Sequence, residues 1–455
     1  MLIVIQMREV IISVVQDIKL TTEDYDLLPY MEKIKSLMNE ILAFAIRNKV
    51  TSSGTIYHDL IKGKELGVYK LAVNNGIRRV LGILKTSNKV QRRLDRKYHG
   101  TRQVKIPYCW KPVYYLNNTE YAKPIKYVDG VLIFPVDAKK NVEIPLNKYV
   151  SKKLASSVMI NSITLSAKIQ GKKKVEFNNP YLFAKCRTYR YVKEKYNKKT
   201  KTMEKMPKYG RLSITYTILV DDIQPEGFIA IDTNLDNVTV VDTNKNVTIY
   251  NMAQLNKWKE QKAETVSHFR RNDTRVLRHV AGKHGAIEKR RVNSAINNLS
   301  KRIVDIAKEN KMAIIMEDLS GIRNRYTKEN MPGKKKDRKK LNGWSFAEIR
   351  RQIEYKADIN GVQFYLVDPK GTSNVCAICG GKMKKSLNAY RKLKCSHCHH
   401  LVDRDVNASI NILKRGMSLI PEWCEKETVM RNPMKDLKIS DLVIRGVDSH
   451  TMVQV

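Results

Sequence analysis

Three acidic residues of the 455-residue chain lie where a carboxylate can be held on a rigid element. Asp232 ends the apolar run GFIAID, Glu317 ends the apolar run MAIIME, and Asp405 opens the stretch DVNASINIL. Two predicted strands and a predicted helix would each present one carboxylate. Such hard oxygen ligands suit Mg²⁺ or Mn²⁺, and the repulsion between grouped carboxylates also favours a cation among them. Because a pair of these ions can activate water against a phosphodiester, the three acids, combined with the basic charge of the chain, indicate a nuclease.

Each acid taken singly has a simpler interpretation. An Asp at the end of a strand is commonly a turn residue, and an Asp that opens a helix is commonly its cap. Nearby acids compete for the same roles, namely Asp236, Asp318 and Asp403. The catalytic interpretation therefore depends on the three residues coming together in the fold.

Four cysteines form two C-x-x-C pairs towards the end of the chain. Cys376 and Cys379 make the first pair, Cys395 and Cys398 make the second, and 15 residues separate the two. This spacing is typical of a tetrahedral zinc site, in which four thiolates leave no open position for catalysis. We therefore predict a structural zinc module over residues 374–400. A neighbouring histidine could replace one cysteine as a ligand, and the candidates are His397, His399 and His400.

The remaining cysteines indicate where the chain resides. Cys109, Cys186 and Cys424 are scattered singly and the total is odd, which argues for a reducing compartment. No stretch is long and apolar enough to cross a bilayer, and the apolar N-terminal run lacks the basic segment and cleavage site of a signal peptide. We therefore expect a cytoplasmic protein with no membrane partner.

The charge of the chain is strongly unbalanced. Lys and Arg number 85 against 45 Asp and Glu, so the formal net charge is +40. A surplus of this size indicates a polyanionic partner, with nucleic acid the first candidate and a membrane surface the second. A basic surface that served only solubility or thermal stability would carry more balanced signs.

The pattern of apolar and turn-forming residues along the chain predicts a multidomain α+β protein whose C-terminal part is α/β. Residues 1–225 should form a recognition region, helical over about 21–85 and rich in short strands, barrel-like or sandwich-like, over about 100–225. Residues 226–415 alternate strands and helices, which predicts a domain with a mixed sheet and the zinc module inserted in it. The tail, residues 416–455, has no assigned role.

Four motifs occur in an order that resembles the TnpB (OrfB) proteins of insertion sequences, relatives of the type V CRISPR effectors. They are IDTNLDNVTVVD, IIMEDLSGIR, the segment from Trp344 through the first cysteine pair, and CSHCHHLVDRDVNASINIL. The resemblance covers residues 225–415 and is most specific between Trp344 and Leu413.

The resemblance implies a RuvC-like nuclease domain of the RNase H type with an inserted zinc ribbon. Asp232, Glu317 and Asp405 match the catalytic triad of that family, and the four cysteines match its ribbon. It further implies a guide RNA made from the transposon end and a double-stranded DNA target that is read by base pairing. The expected activity is that of a transposon-associated, Mg²⁺- or Mn²⁺-dependent RNA-guided DNA endonuclease.

One position departs from the family pattern. The first Asp of the family is usually followed two residues later by Gly, where this chain has Asn234. Asn tolerates a left-handed backbone better than most residues, so we expect activity to be retained. Two alternatives stay open: a catalytically weak or inactive RNA-guided DNA-binding regulator, and a strand-transferring transposase. The presence of all three acids argues against the first, and the lack of an N-terminal helix-turn-helix pattern argues against the second.

Overall fold

The computed structural model of the chain describes residues 7–100, 103, 109, 113–167, 194–197, 202–205, 209–269, 274–322, 343–385, 391–419 and 443–447. Two compact units are present. One spans Glu9–Leu219, and the other holds Val220–Val455 together with the start of the chain through Arg8. Of the helices in these ranges, none is long and apolar enough to span a membrane.

The unit that spans Glu9–Leu219 combines helices with small antiparallel sheets. Its helices are α1 (Leu28–Arg47), α2 (Ser53–Ile56), α3 (Lys70–Tyr98) and α4 (Lys148–Ala155), and a π-helical turn (Tyr57–Ile61) follows α2. Its strands are β1 (Met7–Lys19), β2 (Val113–Asn117), β3 (Lys126–Val128), β4 (Val131–Pro135), β5 (Asn141–Pro145), β6 (Met159–Ala167), β7 (Glu194–Asn197), β8 (Thr202–Lys205) and β9 (Tyr209–Asp221). They form a four-stranded sheet in the order β1-β9-β6-β2, a three-stranded sheet β3-β4-β5 and the hairpin β7-β8. A barrel-like arrangement of this region stays a prediction.

The second unit is an α/β domain. Its strands are β10 (Gly227–Thr233), β11 (Asn237–Asp242), β12 (Asn246–Asn251), β13 (Met312–Glu317), β14 (Phe364–Val367), β15 (Met383–Lys385), β16 (Lys392–Cys395), β17 (Leu401–Asp403) and β18 (Val443–Val447). Its helices are α5 (Ala253–Ser267), α6 (Thr274–Glu309), α7 (Phe346–Ile359) and α8 (Arg404–Met417). The sheet order is β14-β13-β10-β11-β12-β18, and β15, β16 and β17 form a separate small sheet.

The large sheet is mixed, as the order of elements predicts. Strands β10, β11 and β12 form an antiparallel meander, whereas β13 lies parallel to β10 on the other side and β14 lies parallel to β13. The tail contributes the edge strand β18, which runs parallel to β12 with Val443 opposite Asn246. The sequence analysis assigned no element to the tail. The segment Val443–Val447 pairs with a strand that lies far from it in the chain.

Strands β10 and β13 are apolar on both faces, because helices cover both sides of the sheet. Ile231 and Met316 pack into the core formed with α5, α6 and α7, and the residues before them pack into the core formed with α8 and the small sheet. Side chains alternate between the two faces along a strand. The next residue on each strand, Asp232 and Glu317, therefore lies on the face that α8 covers.

Helix α8 lies close against β13 because a glycine stands at the point of contact. A Cβ added at Gly416 would lie 2.6 Å from Cγ1 and from Cγ2 of Ile315, and nearer still to Cδ1. Ile315 is completely buried and cannot swing away. The absence of a side chain at position 416 thus sets how near the helix comes to the sheet.

Replacing Gly416 with Ala should therefore destabilise the second unit. We expect Gly416→Ala to lower the free energy of unfolding by about 1–3 kcal/mol, because α8 or Ile315 must move to admit the methyl group. The measurement is the urea midpoint of purified protein. Gly282→Ala in α6, where nothing lies within 4 Å of the added Cβ, is the matched control. It should raise stability by about 0.5–1 kcal/mol, since Ala is the better helix former. Equal midpoints for both variants would contradict the packing argument.

Candidate active site and metal centre

The structure brings the three predicted acids together at one edge of the sheet. Ile231 of β10 pairs with Met316 of β13 in parallel register, so Asp232 and Glu317 lie side by side where the strands end. Asp405 lies in the first turn of α8, which crosses this face. Asp232 is 7% exposed and Asp405 is 1% exposed. The arrangement gathers three carboxylates, two of them almost entirely buried, from elements distant in sequence.

Burial and mutual repulsion perturb the proton affinity of these groups. Desolvation by burial is the main reason that the pKa of Asp232 is raised to about 7. The negative charge of Glu317 and, less strongly, that of Asp405 also raise the pKa of Asp232. Burial likewise raises the pKa of Glu317, while a hydrogen bond from Thr372 opposes that rise. A site of this kind takes up either a proton or a cation.

Asn234 contacts Asp232 directly. Its Nδ2 donates to Oδ2 of Asp232 at 2.7 Å, which partly lowers the pKa of that carboxyl. Its backbone carbonyl accepts a hydrogen bond of 2.9 Å from Nε1 of Trp344. Asn234 is not among the described residues with positive φ. Tolerance of a left-handed backbone is therefore not used at this position, and the Asn234 side chain instead donates a hydrogen bond to the first acid.

Asp405 receives hydrogen bonds from three donors. Nδ2 of Asn237 donates to its Oδ2 at 3.0 Å, and the guanidinium group of Arg391 donates to the same oxygen. Nε of Arg404 lies 3.3 Å from Oδ1. Two positive charges and an amide thus surround a carboxylate that has almost no contact with solvent, and they offset its desolvation.

The competing acids have other partners. Asp403 is the N-cap of α8, and its Oδ1 accepts hydrogen bonds from the backbone N–H groups of Asp405 at 2.9 Å and Val406 at 3.4 Å. The helix cap is therefore Asp403, which leaves the Asp405 side chain to face the sheet. Asp236 accepts a hydrogen bond from a side chain of α5, and Asp318 accepts one from a side chain of α7.

The four cysteines form a compact group of sulphur atoms. Their Sγ atoms all lie within 4.8 Å of one another. Cys376 and Cys398 are 3.7 Å apart, and Cys379 and Cys395 are 3.4 Å apart, measured between Sγ atoms. Zinc–sulphur bonds of about 2.3 Å in a tetrahedron separate the sulphurs by about 3.8 Å, so the donor set fits zinc. As far as the structure describes the chain, the candidate histidines are not members of this group.

Parts of this chain are similar to known proteins. Residues 346–412 match the family model described as the Cas12f1-like, TNB domain. A TnpB-like protein of Methanocaldococcus jannaschii is 30% identical over 238 residues, which is 50% of this chain and 84% of that protein. The chain belongs to the TnpB family.

More distant relatives include nucleases of CRISPR systems. The CRISPR-associated endodeoxyribonuclease Cas12f2 of a Micrarchaeota archaeon is 29% identical over 134 residues, which is 28% of this TnpB family member and 24% of Cas12f2. Among solved structures, the cryo-EM structure of a Cas12f1–sgRNA–target DNA complex aligns with 84% of this chain and 81% of its own. The identity there is 14% and the TM-score is 0.47.

The acidic cluster fits a hard divalent cation. Its carboxylates supply oxygen ligands of the kind that Mg²⁺ and Mn²⁺ prefer. Two further oxygens, Oδ1 of Asn237 and Oγ1 of Thr239, are buried here without a hydrogen-bond partner in the part of the chain that the structure describes. Thr239 pairs with Asp232 across β10 and β11, and Asn237 bonds to Asp405. Buried oxygens without donors favour a positive ion nearby.

Removing the charge at position 232 should stabilise this TnpB protein at high pH without divalent cations. The pKa of Asp232 is about 7 in the folded chain, and that of an unfolded Asp is about 3.9. The folded state therefore binds the proton more tightly, and this contribution to stability is lost as pH rises between the two values. At pH 8 we expect the free energy of unfolding of Asp232→Asn to exceed that of wild type by on the order of 2–4 kcal/mol.

Thermal melting in metal-free buffer at pH 8 and pH 5 provides the test. The advantage of Asp232→Asn should shrink by more than half at pH 5, where wild-type Asp232 keeps its proton. Added Mg²⁺ or Mn²⁺ should stabilise wild type more than the variant. A variant less stable than wild type at pH 8 without cations would contradict the burial argument.

Loss of one sulphur ligand should unfold the zinc module. We expect Cys395→Ser to bind less than one zinc per chain and to melt at lower temperature, because structural zinc supplies folding free energy. Elemental analysis of the purified protein gives the zinc content. Cys109→Ser, at a half-buried cysteine outside the sulphur group, is the control and should keep its zinc. Unchanged zinc content in Cys395→Ser would rule out this ligand set.

Proposed function

We propose that this protein is a transposon-associated RNA-guided DNA endonuclease. Its reaction is hydrolysis of a DNA phosphodiester by water, and Asp232, Glu317 and Asp405 would hold the Mg²⁺ or Mn²⁺ that activates it. The domain of residues 226–415 is then RuvC-like and of the RNase H type, and the zinc ribbon of residues 374–400 is inserted in it. The observation that carries this proposal is the convergence of the three acids from β10, β13 and α8 within one buried cluster.

The residues around the cluster can prepare a phosphodiester for hydrolysis. When bound, Mg²⁺ or Mn²⁺ supplies a Lewis acid and lowers the pKa of water. Asp232 and Glu317 hold their carboxylates on the ends of rigid strands, and Asn234 fixes the orientation of Asp232. Arg391 and Arg404 place two guanidinium groups beside Asp405, where they can bind a phosphate oxygen of a nucleic-acid strand.

The partners follow from family membership and charge. The TnpB family assignment and the endodeoxyribonuclease relative support a DNA target, and we propose double-stranded DNA and a guide RNA from the transposon end as the partners. A net charge of +40 suits a protein that holds two polyanions at once. On this proposal residues 1–225 form the recognition region, and the protein acts in the cytoplasm. The hydrogen bond from Asn234 to Asp232 supports an active enzyme despite the departure from the family's Gly.

Guide-dependent cleavage tests the proposal. The protein is co-expressed with its native downstream DNA so that a guide RNA is captured. The purified complex is then incubated with Mg²⁺ and a plasmid library that carries the matched target beside randomised flanks. We expect breaks that EDTA abolishes. Glu317→Gln should reduce cleavage by about 1000-fold or more, because several kcal/mol of charge stabilisation is lost, and it should leave RNA binding intact.

A matched variant controls for the loss of an acid near the site. Asp236→Asn changes an exposed carboxylate only four residues after Asp232, and its side chain can still accept the hydrogen bond from Asn256. It should cleave at the wild-type rate. Bound RNA with no break in the wild-type protein would favour a non-cutting regulator. Joined DNA products would indicate strand transfer.

A further inference from the structure

One face of helix α8 contacts the sheet and another contacts the first zinc knuckle, residues 372–379. Asp405 and Ser409 stand four residues apart, and both face β11: Asp405 accepts from Asn237, and Oγ of Ser409 lies 3.3 Å from the carbonyl of Thr239. Residues 407, 411 and 414 follow the same three- and four-residue spacing on the other face. A single helix therefore contacts both the active-site strands and the zinc knuckle.

The second face binds the backbone of the knuckle through side chains. Nδ2 of Asn407 donates to the carbonyl of Val375 at 2.8 Å, and its Oδ1 accepts from the N–H of Ala377 at 2.9 Å. Nζ of Lys414 donates to the carbonyl of Ala377 at 2.6 Å. Ala377 lies between the zinc ligands Cys376 and Cys379. The helix that carries Asp405 is thereby attached to the loop that holds two of the four sulphurs.

The amide of Asn411 uses both of its hydrogens on the same segment. Its Nδ2 donates to the carbonyls of Thr372 at 2.7 Å and Val375 at 2.8 Å. Thr372 is 2% exposed, so its backbone carbonyl and its hydroxyl are both withdrawn from water. Asn411 thus fixes the backbone of Thr372 relative to α8.

Thr372 in turn contacts the second acid. Its Oγ1 donates to Oε1 of Glu317 at 2.6 Å. Burial raises the pKa of Glu317, and this hydrogen bond opposes the rise. Glu317 ends a strand, and its side chain has enough length to adopt several rotamers. The Thr372 hydroxyl also lies 3.1 Å from the carbonyl of Pro369, and its shorter contact with Glu317 favours one rotamer of that acid.

We propose that Thr372 is a positioning residue for Glu317, and that Asn411 and the zinc knuckle hold Thr372 in place. The inference rests on the proposed function only in that Glu317 is a ligand of the divalent cation. On this account the zinc module stabilises its own fold and also fixes the geometry of the acidic cluster. Partners that orient ligands in this way typically change metal affinity 10–100-fold when they are removed.

Two substitutions at one position separate positioning from packing. Thr372→Val keeps the volume and removes the hydroxyl, whereas Thr372→Ser keeps the hydroxyl. We expect Thr372→Val to weaken Mn²⁺ binding about tenfold and Thr372→Ser to restore wild-type affinity. Mn²⁺ binding is followed by EPR or calorimetry on zinc-loaded protein, so the readout needs no guide RNA or DNA cleavage.

Further variants cover a loss of folding and a general Thr→Val effect. Asn411→Ala should weaken Mn²⁺ binding in the same direction while zinc content stays at one per chain. Thr248→Val, on β12 two strands away from Asp232, should bind Mn²⁺ as wild type does. Wild-type Mn²⁺ affinity in both Thr372→Val and Asn411→Ala would overturn the inference. Intact Mn²⁺ effects without DNA cleavage by wild type would instead contradict the proposed nuclease.

Discussion

The packing of helix α8 across β10, β11 and β13 is the contact on which the site depends. It covers one apolar face of the sheet, and it brings Asp405 to two strands that already carry Asp232 and Glu317. The close approach of Gly416 to Ile315 sets how near the C-terminal end of the helix lies to the sheet, and the cap at Asp403 sets the residue at which the helix begins. Together they determine which of its side chains reach the strands.

Burial of carboxylates opposes this packing, and the structure offsets it with hydrogen-bond donors. An ionised group transferred from water loses solvation that one neighbouring donor does not replace. Asn234 donates a hydrogen bond to Asp232, and Thr372 donates one to Glu317. Asp405 accepts hydrogen bonds from Asn237 and from two guanidinium groups. Each acid therefore has its own donor, which is close in sequence for Asp232 and distant in sequence for Glu317 and Asp405. Burial nevertheless raises the pKa of Asp232 to about 7, so its donor does not fully offset the loss of solvation.

The sequence predicts the parts of the site that depend on local pattern. An apolar run that ends in an acid locates Asp232 and Glu317, because strand alternation then decides the face. Two C-x-x-C pairs locate the four sulphurs, because chelation restricts their spacing. The choice between Asp403 and Asp405 is beyond local pattern. Both lie at the start of the same helix, and only the capping geometry shows that the backbone uses the carboxylate of Asp403 and not that of Asp405.

Residues that act through tertiary contacts carry no such signal. Arg391 reaches Asp405 from the zinc module, and Thr372 reaches Glu317 from the residues just before that module. Nothing in their immediate neighbours marks them as partners of those acids. Asn234 shows the reverse case. Its residue type was interpreted through backbone propensity, whereas its side-chain hydrogen bond explains its place.

The parallel pairing of β18 with β12 determines what the chain exposes while it is being synthesised. Roughly 190 residues separate Asn251 from Val443. At elongation rates of about 5–20 residues per second, β12 is synthesised roughly 10–40 s before its neighbour exists. During that interval the edge of the nascent sheet presents unpaired backbone groups, which are a template for pairing with other chains. Completion of the large sheet is thus a late event, and nascent chains that stall before residue 443 expose an edge that the finished protein covers.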